Sequence, residues 1–147
     1  MKNRQLLSGF TLIELLITLA IIGVLVGVAV PSYFNSVKKT NRTDAKTVLM
    51  NMSQQLQKCY TIYGKFNDAN CAVYVLLAGG TVKSDLKYYS IAINNANPTT
   101  FVLTASAVAG TPQAKDVARC LKITLDQLGN KGDANGVPPP GELSPCW

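Results

Sequence analysis

The sequence has no histidine, one tryptophan and only eight acidic residues in 147. Without histidine, the commonest general base, the usual partner of a nucleophilic serine or cysteine and the commonest metal ligand are all missing. The eight acids are dispersed, and no Gly-rich phosphate-binding loop occurs. The four cysteines, Cys59, Cys71, Cys120 and Cys146, include no closely spaced pair, which excludes the common zinc-finger patterns. Asp126, Asn130, Asp133 and Asn135 fall in one short stretch, but the ordered spacing of an EF-hand and its terminal Glu are lacking. No catalytic residue, metal site or cofactor is therefore expected, and the chain reads as a non-enzyme.

Charge is also missing from one region. Between Leu15 and Val30 there is no charged residue at all, whereas the chain beyond Pro31 reads like a polar globular protein. The run Phe10–Phe34 carries a single charge, Glu14. It exceeds the roughly 20 residues a bilayer helix needs. Lys2 and Arg4 precede it, and basic residues before an apolar span hold that end in the cytoplasm. No clear small-x-small cleavage site follows the run, so it is expected to be retained.

An acid inside such a span is costly and usually marks function. Glu14 lies one turn from Phe10, within reach of the headgroups, and its functional use needs a positive partner. A cut between Gly9 and Phe10 would create one. An ordinary α-amine has a pKa of roughly 7.7–8.0 and is largely protonated at neutral pH.

The net charge is +6, from 14 basic and 8 acidic residues. Without residues 1–9 the balance is 12 against 8, or +4, and it is scattered. This permits contact with DNA or anionic surfaces without arguing strongly for it. An even number of cysteines behind a membrane-targeting segment reads as two disulfides in an oxidising compartment. Three connectivities are possible; Cys59–Cys71 with Cys120–Cys146 closes the shortest loops and is preferred.

Beyond Pro31 the helical period continues. Ala45, Val48, Leu49, Met52, Leu56, Cys59, Tyr60 and Tyr63 share one face, Lys46, Asn51, Gln54, Gln55 and Lys58 fill the other, and Gly64 is a stop. The implied helix over 10–63 would be about 80 Å long. Its first half must be buried in lipid or in copies of itself, and its second half must carry a globular head. Gly23 and Gly27 form a GxxxG spacing that allows close helix contact, and Pro31 interrupts the backbone bonding.

Residues 65–86 read as a connecting loop with a short helix near Val73–Leu77. Three strands follow by alternation: Lys87–Ile93, Thr100–Ala107 and Arg119–Gln127, with Tyr89, Ile91, Ile93, Phe101, Leu103, Ala105, Leu121, Ile123 and Leu125 pointing inward. Asn94–Pro98 is a turn. Gly129–Pro145 is too rich in Gly and Pro for a regular strand. Tyr88, Tyr89 and Trp147 read as core packing and as cover beside a disulfide. The fold class is α+β: a long N-terminal helix, half membrane or filament core and half amphipathic, packed on a small antiparallel β-sheet with a disulfide-closed C-terminal loop.

"GFTLIE", set behind a short basic leader and ahead of an apolar helix with a proline, resembles the class III signal of type IV pilins and pseudopilins. The resemblance implies that a membrane-embedded prepilin peptidase/methyltransferase cuts after Gly9 and N-methylates Phe10. It implies that Glu14 pairs with the N-terminal amine of a neighbouring subunit. It also implies that the helix loosens between Gly23 and Pro31 in the filament. "ARCLKITLDQLGNKG…PCW", "YYSIAI" and "TFVLTA" resemble the PilE-like minor pilins of type IVa pili, where the Cys-bounded tail is the exposed D-region.

The implied layout is a leader over 1–9, a transmembrane and filament-core helix over 10–34 and a head over 35–147. Within the head lie helix 35–63, loop 64–86, sheet 87–127 and D-region 120–146. The implied function is a structural, minor subunit of a type IV pilus that supports assembly, adhesion and twitching motility. Its partners would be other pilin subunits, the peptidase, the inner-membrane assembly platform and, before assembly, the membrane itself. It would sit in the bacterial inner membrane as a single span with its head in the periplasm, then in the extracellular pilus. Two alternatives stand beside it. One is a pilus-borne DNA-binding subunit for natural transformation, suggested by the +4 charge. The other is a type II secretion pseudopilin, against which the tail cysteines and the terminal Cys-Trp argue.

Overall fold

A computed structural model describes residues 10–138 and 144–147. Gly9 and the rest of the expected leader lie outside the described residues, as do 139–143 of the expected D-region. The chain divides into two compact units, Met1–Ser36 and Val37–Trp147. Helix α1 runs over Leu12–Tyr63.

In the first unit α1 is unbroken through Gly23 and Pro31. None of its apolar stretch is buried. Among the described residues, nothing beyond the neighbouring backbone of the helix itself comes within 4 Å of a Cβ placed on Gly23 or Gly27. By length and composition this helix can cross a membrane.

In the second unit a five-stranded antiparallel meander follows the end of α1. The strands are β1 (Val82–Lys83), β2 (Tyr89–Asn94), β3 (Val102–Ala107), β4 (Lys122–Asp126) and β5 (Lys131–Asp133), hydrogen-bonded in sequence order. A short helix α2 (Ala72–Ala78) precedes them. Helix α1 stops where expected: Gly64 takes a φ of +70°, and its N–H reaches the Tyr60 carbonyl at 2.8 Å.

Register explains the core. Leu103 on β3 lies between Ile93 on β2 and Leu125 on β4, and Ala105 lies between Ile91 and Ile123. Alternation sends this set to one face, where Tyr89, Ile91, Phe101, Leu103, Ala105 and Ile123 are fully buried. Ala45, Leu49, Met52 and Leu56 on α1 close the other side, with Val73 and Leu77 of α2 beside them. A side chain such as Leu49 or Ile123 contributes about 1.5–3 kcal/mol by leaving water.

Four expectations need correction. Tyr60 and Tyr63 share the helical period of the buried residues but are exposed, because the core has tapered by the end of α1. Residues Ala118–Leu121 form a 3-10 turn, so β4 begins at Lys122 and Leu121 is only half-buried. The segment 64–86 contains β1, and Phe66 within it is buried edge-to-face against Phe101 at 4.9 Å. The Gly/Pro-rich tail contains β5, paired through Thr124 with Gly132 and Leu125 with Lys131. Gly132 makes that pairing possible: a Cβ there would clash with Thr124 Oγ1 and lie 2.9 Å from the Gly136 carbonyl oxygen.

Candidate assembly site and basic surface

At the start of α1, Thr11 and Glu14 cap each other. The Glu14 N–H donates to Thr11 Oγ1 at 3.3 Å, and Glu14 Oε2 accepts from the Thr11 N–H at 3.2 Å and its hydroxyl at 3.1 Å. This is a capping box, which satisfies backbone donors that a helix start leaves open. A single acceptor oxygen, Oε2, serves both Thr11 donors. Phe10 immediately before it is exposed. Farther along, Pro31 supplies no N–H to the carbonyl of Gly27, the normal partner one turn back.

In the second unit the cysteines pair as Cys59–Cys71 and Cys120–Cys146, with Cα separations of 5.7 and 5.3 Å. The first ties the end of α1 to the start of α2. The second ties the tail to the turn before β4. Asp133 holds the same tail from the other side. Its side chain is fully buried and accepts from Arg119 Nε and Ser144 Oγ, both at 2.6 Å, and from the Asn135 N–H at 2.9 Å. Burial alone would raise its pKa; the bonds from Ser144, Asn135 and Arg119 outweigh this and hold the carboxyl below its ordinary range.

A polar network runs beneath α1. Asn41 Nδ2 donates to Gln113 Oε1 at 3.1 Å, and Gln113 Nε2 donates to the Tyr89 hydroxyl at 2.9 Å and to Asp116 Oδ2 at 2.6 Å. Tyr89 passes the chain on to the Cys120 carbonyl at 3.0 Å. Arg42 forks onto Asp116 at 2.7 and 2.5 Å. Burial pushes the Tyr89 phenol up to about 12, against the lowering effect of the Gln113 bond. Asp116 is held below its ordinary value because Arg42 and the Val117 N–H outweigh its burial. Among the described residues no buried side-chain nitrogen or oxygen lacks a partner. Low-dielectric surroundings make such a network costly to leave half-made.

The tail also gathers cations. Trp147 donates its indole N–H to the Gly132 carbonyl at 2.8 Å. Lys131 and Lys46 lie over its ring, at 5.2 and 6.0 Å from the centroid. Lys46 is pushed below the usual lysine range by burial, then by the nearby charges of Arg42 and Lys131. Two cations on one half-buried indole form a compact basic and aromatic group, a combination suited to a polyanion.

The expected site residues therefore separate. Phe10, Glu14, Gly23 and Pro31 lie in the first unit, and the four cysteines lie in the second. Sequence reading missed Asn41, Gln113, Asp116 and Arg42 as a group, and it missed Lys46 with Lys131. Each is an ordinary polar residue until a partner about 70 residues away or more is known.

A long apolar helix with its acid at the capped start, leading into a disulfide-closed antiparallel head, defines a type IV pilin. Residues 8–30 match the family described as prokaryotic N-terminal methylation motif, and residues 31–124 match the family described as type IV minor pilin ComP, DNA uptake sequence receptor. Fimbrial protein EcpC of Eikenella corrodens is 32% identical over 70% of this chain and 64% of its own length, so the match spans just under two thirds of that relative. The type IV wide pilus major component PilA4 of Thermus thermophilus is 32% identical over 76% of this chain and 79% of its own. Fimbrial protein Q of Moraxella bovis is 31% identical over 88% and 82%. The chain belongs to the type IV minor pilin ComP family. As a pilin it is a structural subunit of a type IV pilus, anchored by its apolar helix and then assembled with other pilins, and its methylation motif marks it for prepilin peptidase.

Proposed function

We propose that the chain is cut between Gly9 and Phe10, N-methylated on Phe10, and polymerised into the pilus through α1, with Glu14 pairing to the Phe10 amine of a neighbouring subunit. The observation that carries this reading is that Glu14 is the one charged residue in the run 10–34. At the membrane edge its capping bonds and nearby water keep a carboxylate tolerable. In a filament core an uncompensated carboxylate is strongly disfavoured, so an amine partner decides whether the subunit can enter. Before assembly the leader 1–9 lies in the cytoplasm, 10–34 spans the inner membrane and the head 35–147 lies in the periplasm, where the assembly platform receives it. Loosening between Gly23 and Pro31 accompanies packing, since the Gly27 carbonyl already lacks its usual donor. The role is structural, with no reaction catalysed. The test is incorporation of a Glu14→Ala variant into sheared pili: normal processing with lost incorporation supports the reading, and normal incorporation refutes it.

A second reading is favoured by a separate observation. The family matched over 31–124 is described as a DNA uptake sequence receptor, and the head carries Lys46 and Lys131 on Trp147 within a balance of twelve basic against seven acidic residues over 37–147. On this reading the assembled subunit presents that group to DNA phosphates. Salt-dependent gel retardation with the full chain in detergent tests it; absence of any shift at low salt eliminates it.

A further inference from the structure

Two lysines stand where the chain leaves its apolar span, and the backbone of a third is bonded to one of them. Lys38 lies four residues beyond Phe34, and Lys39 is next to it. Lys38 Nζ donates to the carbonyl of Lys115 at 2.9 Å, which brings the turn Pro112–Lys115 to the same place. Of the acids on these segments, Asp116 is paired with Arg42 and also feels the charge of Lys38, while Asp44, five residues past Lys39, accepts from the Leu86 N–H. Directly after Lys115 and Asp116 comes Val117, an apolar residue 59% exposed, followed by the exposed Ala118.

Position decides what such a surface meets first. Phe34 and Lys38 belong to the same helix α1 and stand four residues, or about 6 Å of helix rise, apart, so Lys38 and the turn bonded to it lie next to the span's end. If 10–34 fills the hydrocarbon core, that neighbourhood is the headgroup layer, roughly 5–8 Å deep on each side. Lysines beside an exposed apolar residue match that layer, with cations at phosphate depth and the apolar group toward the acyl boundary. A DNA-binding patch would have no need to lie so close to the span.

We infer that Lys38, Lys39, Lys115 and Val117 form a contact surface for anionic phospholipid headgroups of the leaflet into which the chain's own helix is inserted, docking the head on the membrane until assembly withdraws it. The inference rests on the membrane-anchored state of the subunit and not on the DNA reading. A juxtamembrane lysine at an anionic surface changes a local equilibrium by roughly fivefold.

Hydrogen–deuterium exchange tests this on the full chain in nanodiscs of phosphatidylcholine with or without phosphatidylglycerol. Amides of 111–118 should exchange roughly fivefold or more slowly in the anionic discs, while those of β2 and β3 stay unchanged. The Lys39→Ser/Lys115→Ser variant should lose the difference; both side chains are exposed, so the fold is retained. Val117→Ser should reduce it. Equal exchange of 111–118 in the two kinds of disc overturns the proposal. So does protection of 111–118 by added duplex DNA in neutral discs without any effect of phosphatidylglycerol, which would give this surface to nucleic acid.

Discussion

Arg42 and Asp116 are held together by two hydrogen bonds, 74 residues apart in sequence, with the aspartate side chain only 2% exposed. The pair fixes the first buried turn of the head to the segment that leads into β4. Asp116 serves Gln113 at the same time, and through Gln113 it supports Asn41 and Tyr89. One carboxylate thus organises the lower edge of the head's core.

Removing it strands a half-buried cation. Asp116→Ala is expected to destabilise the head by about 3 kcal/mol, since breaking one side of a buried pair leaves the other uncompensated. The paired change Arg42→Met/Asp116→Leu should recover most of the loss. Thermal unfolding of the detergent-solubilised chain measures both. An Asp116→Ala midpoint equal to wild type would show that the pair is mere decoration.

Acid should weaken the head in a defined window. Asp116 and Asp133 titrate below the ordinary carboxylate value when folded, whereas an unfolded Asp titrates near 3.9. In that range the unfolded chain binds more protons, so stability rises with pH. The contribution is fully present above about pH 5 and is lost as pH falls below about 4 toward the folded values. The expected midpoint is flat from pH 7 to about 5 and declines below 4, with a shallower decline in Asp116→Asn and Asp133→Asn. Melting curves across pH 2–7 check this.

The two disulfides should differ in what they protect. In the chain-entropy picture, loss of Cys120–Cys146, whose partners are 26 positions apart, costs about 3.5 kcal/mol, and loss of Cys59–Cys71, 12 positions apart, costs about 3. The structural consequences diverge more than the energies. Cys120→Ser/Cys146→Ser should release the tail and expose β5 to hydrogen exchange. Cys59→Ser/Cys71→Ser should expose α2 and leave β5 protected.

Much of this architecture is legible in residue order. Alternation at Tyr89, Ile91, Phe101, Leu103, Ala105, Ile123 and Leu125 marks the buried face, because strand periodicity is local. Gly64 marks the end of α1, because only the chain's own turn decides it. The edge strands β1 and β5 escape notice for a physical reason: two or three residues carry no period, and β5 is built around Gly132, a poor strand former made necessary by Thr124 and Gly136. Phe66 looks like loop residue until Phe101 covers it. The network of Asn41, Arg42, Tyr89, Gln113 and Asp116 has no sequence signature, since the bonds that tie it to α1, Asn41–Gln113 and Arg42–Asp116, join segments more than 70 residues apart. At the N-terminus, by contrast, the six residues of "GFTLIE" carry the motif, and within them Thr11 and Glu14, three apart, form the capping box.

If the group on Trp147 receives DNA, its lysines should act through phosphate. Lys46→Ala and Lys131→Ala should each weaken retardation of duplex DNA about equally for all sequences, and each should reduce the salt slope by about one. Trp147→Ala should weaken binding further by scattering both cations, while its loss from the Gly132 carbonyl loosens the tail. Titrations at several salt concentrations measure this. Unchanged affinity in the double lysine variant would place any DNA contact elsewhere on the head.

The central claim concerns Glu14 and the Phe10 amine of a neighbouring subunit. Mass spectrometry of sheared, purified pili, comparing wild type with Glu14→Ala, tests it most directly. The predicted result is a wild-type peptide beginning at N-methylated Phe10, present at a small fraction of the major subunit, and loss of that peptide from pili of the variant although the membrane fraction still contains the processed chain. Variant subunits at wild-type abundance in the filament, or a wild-type filament peptide that begins at Met1, would contradict the account.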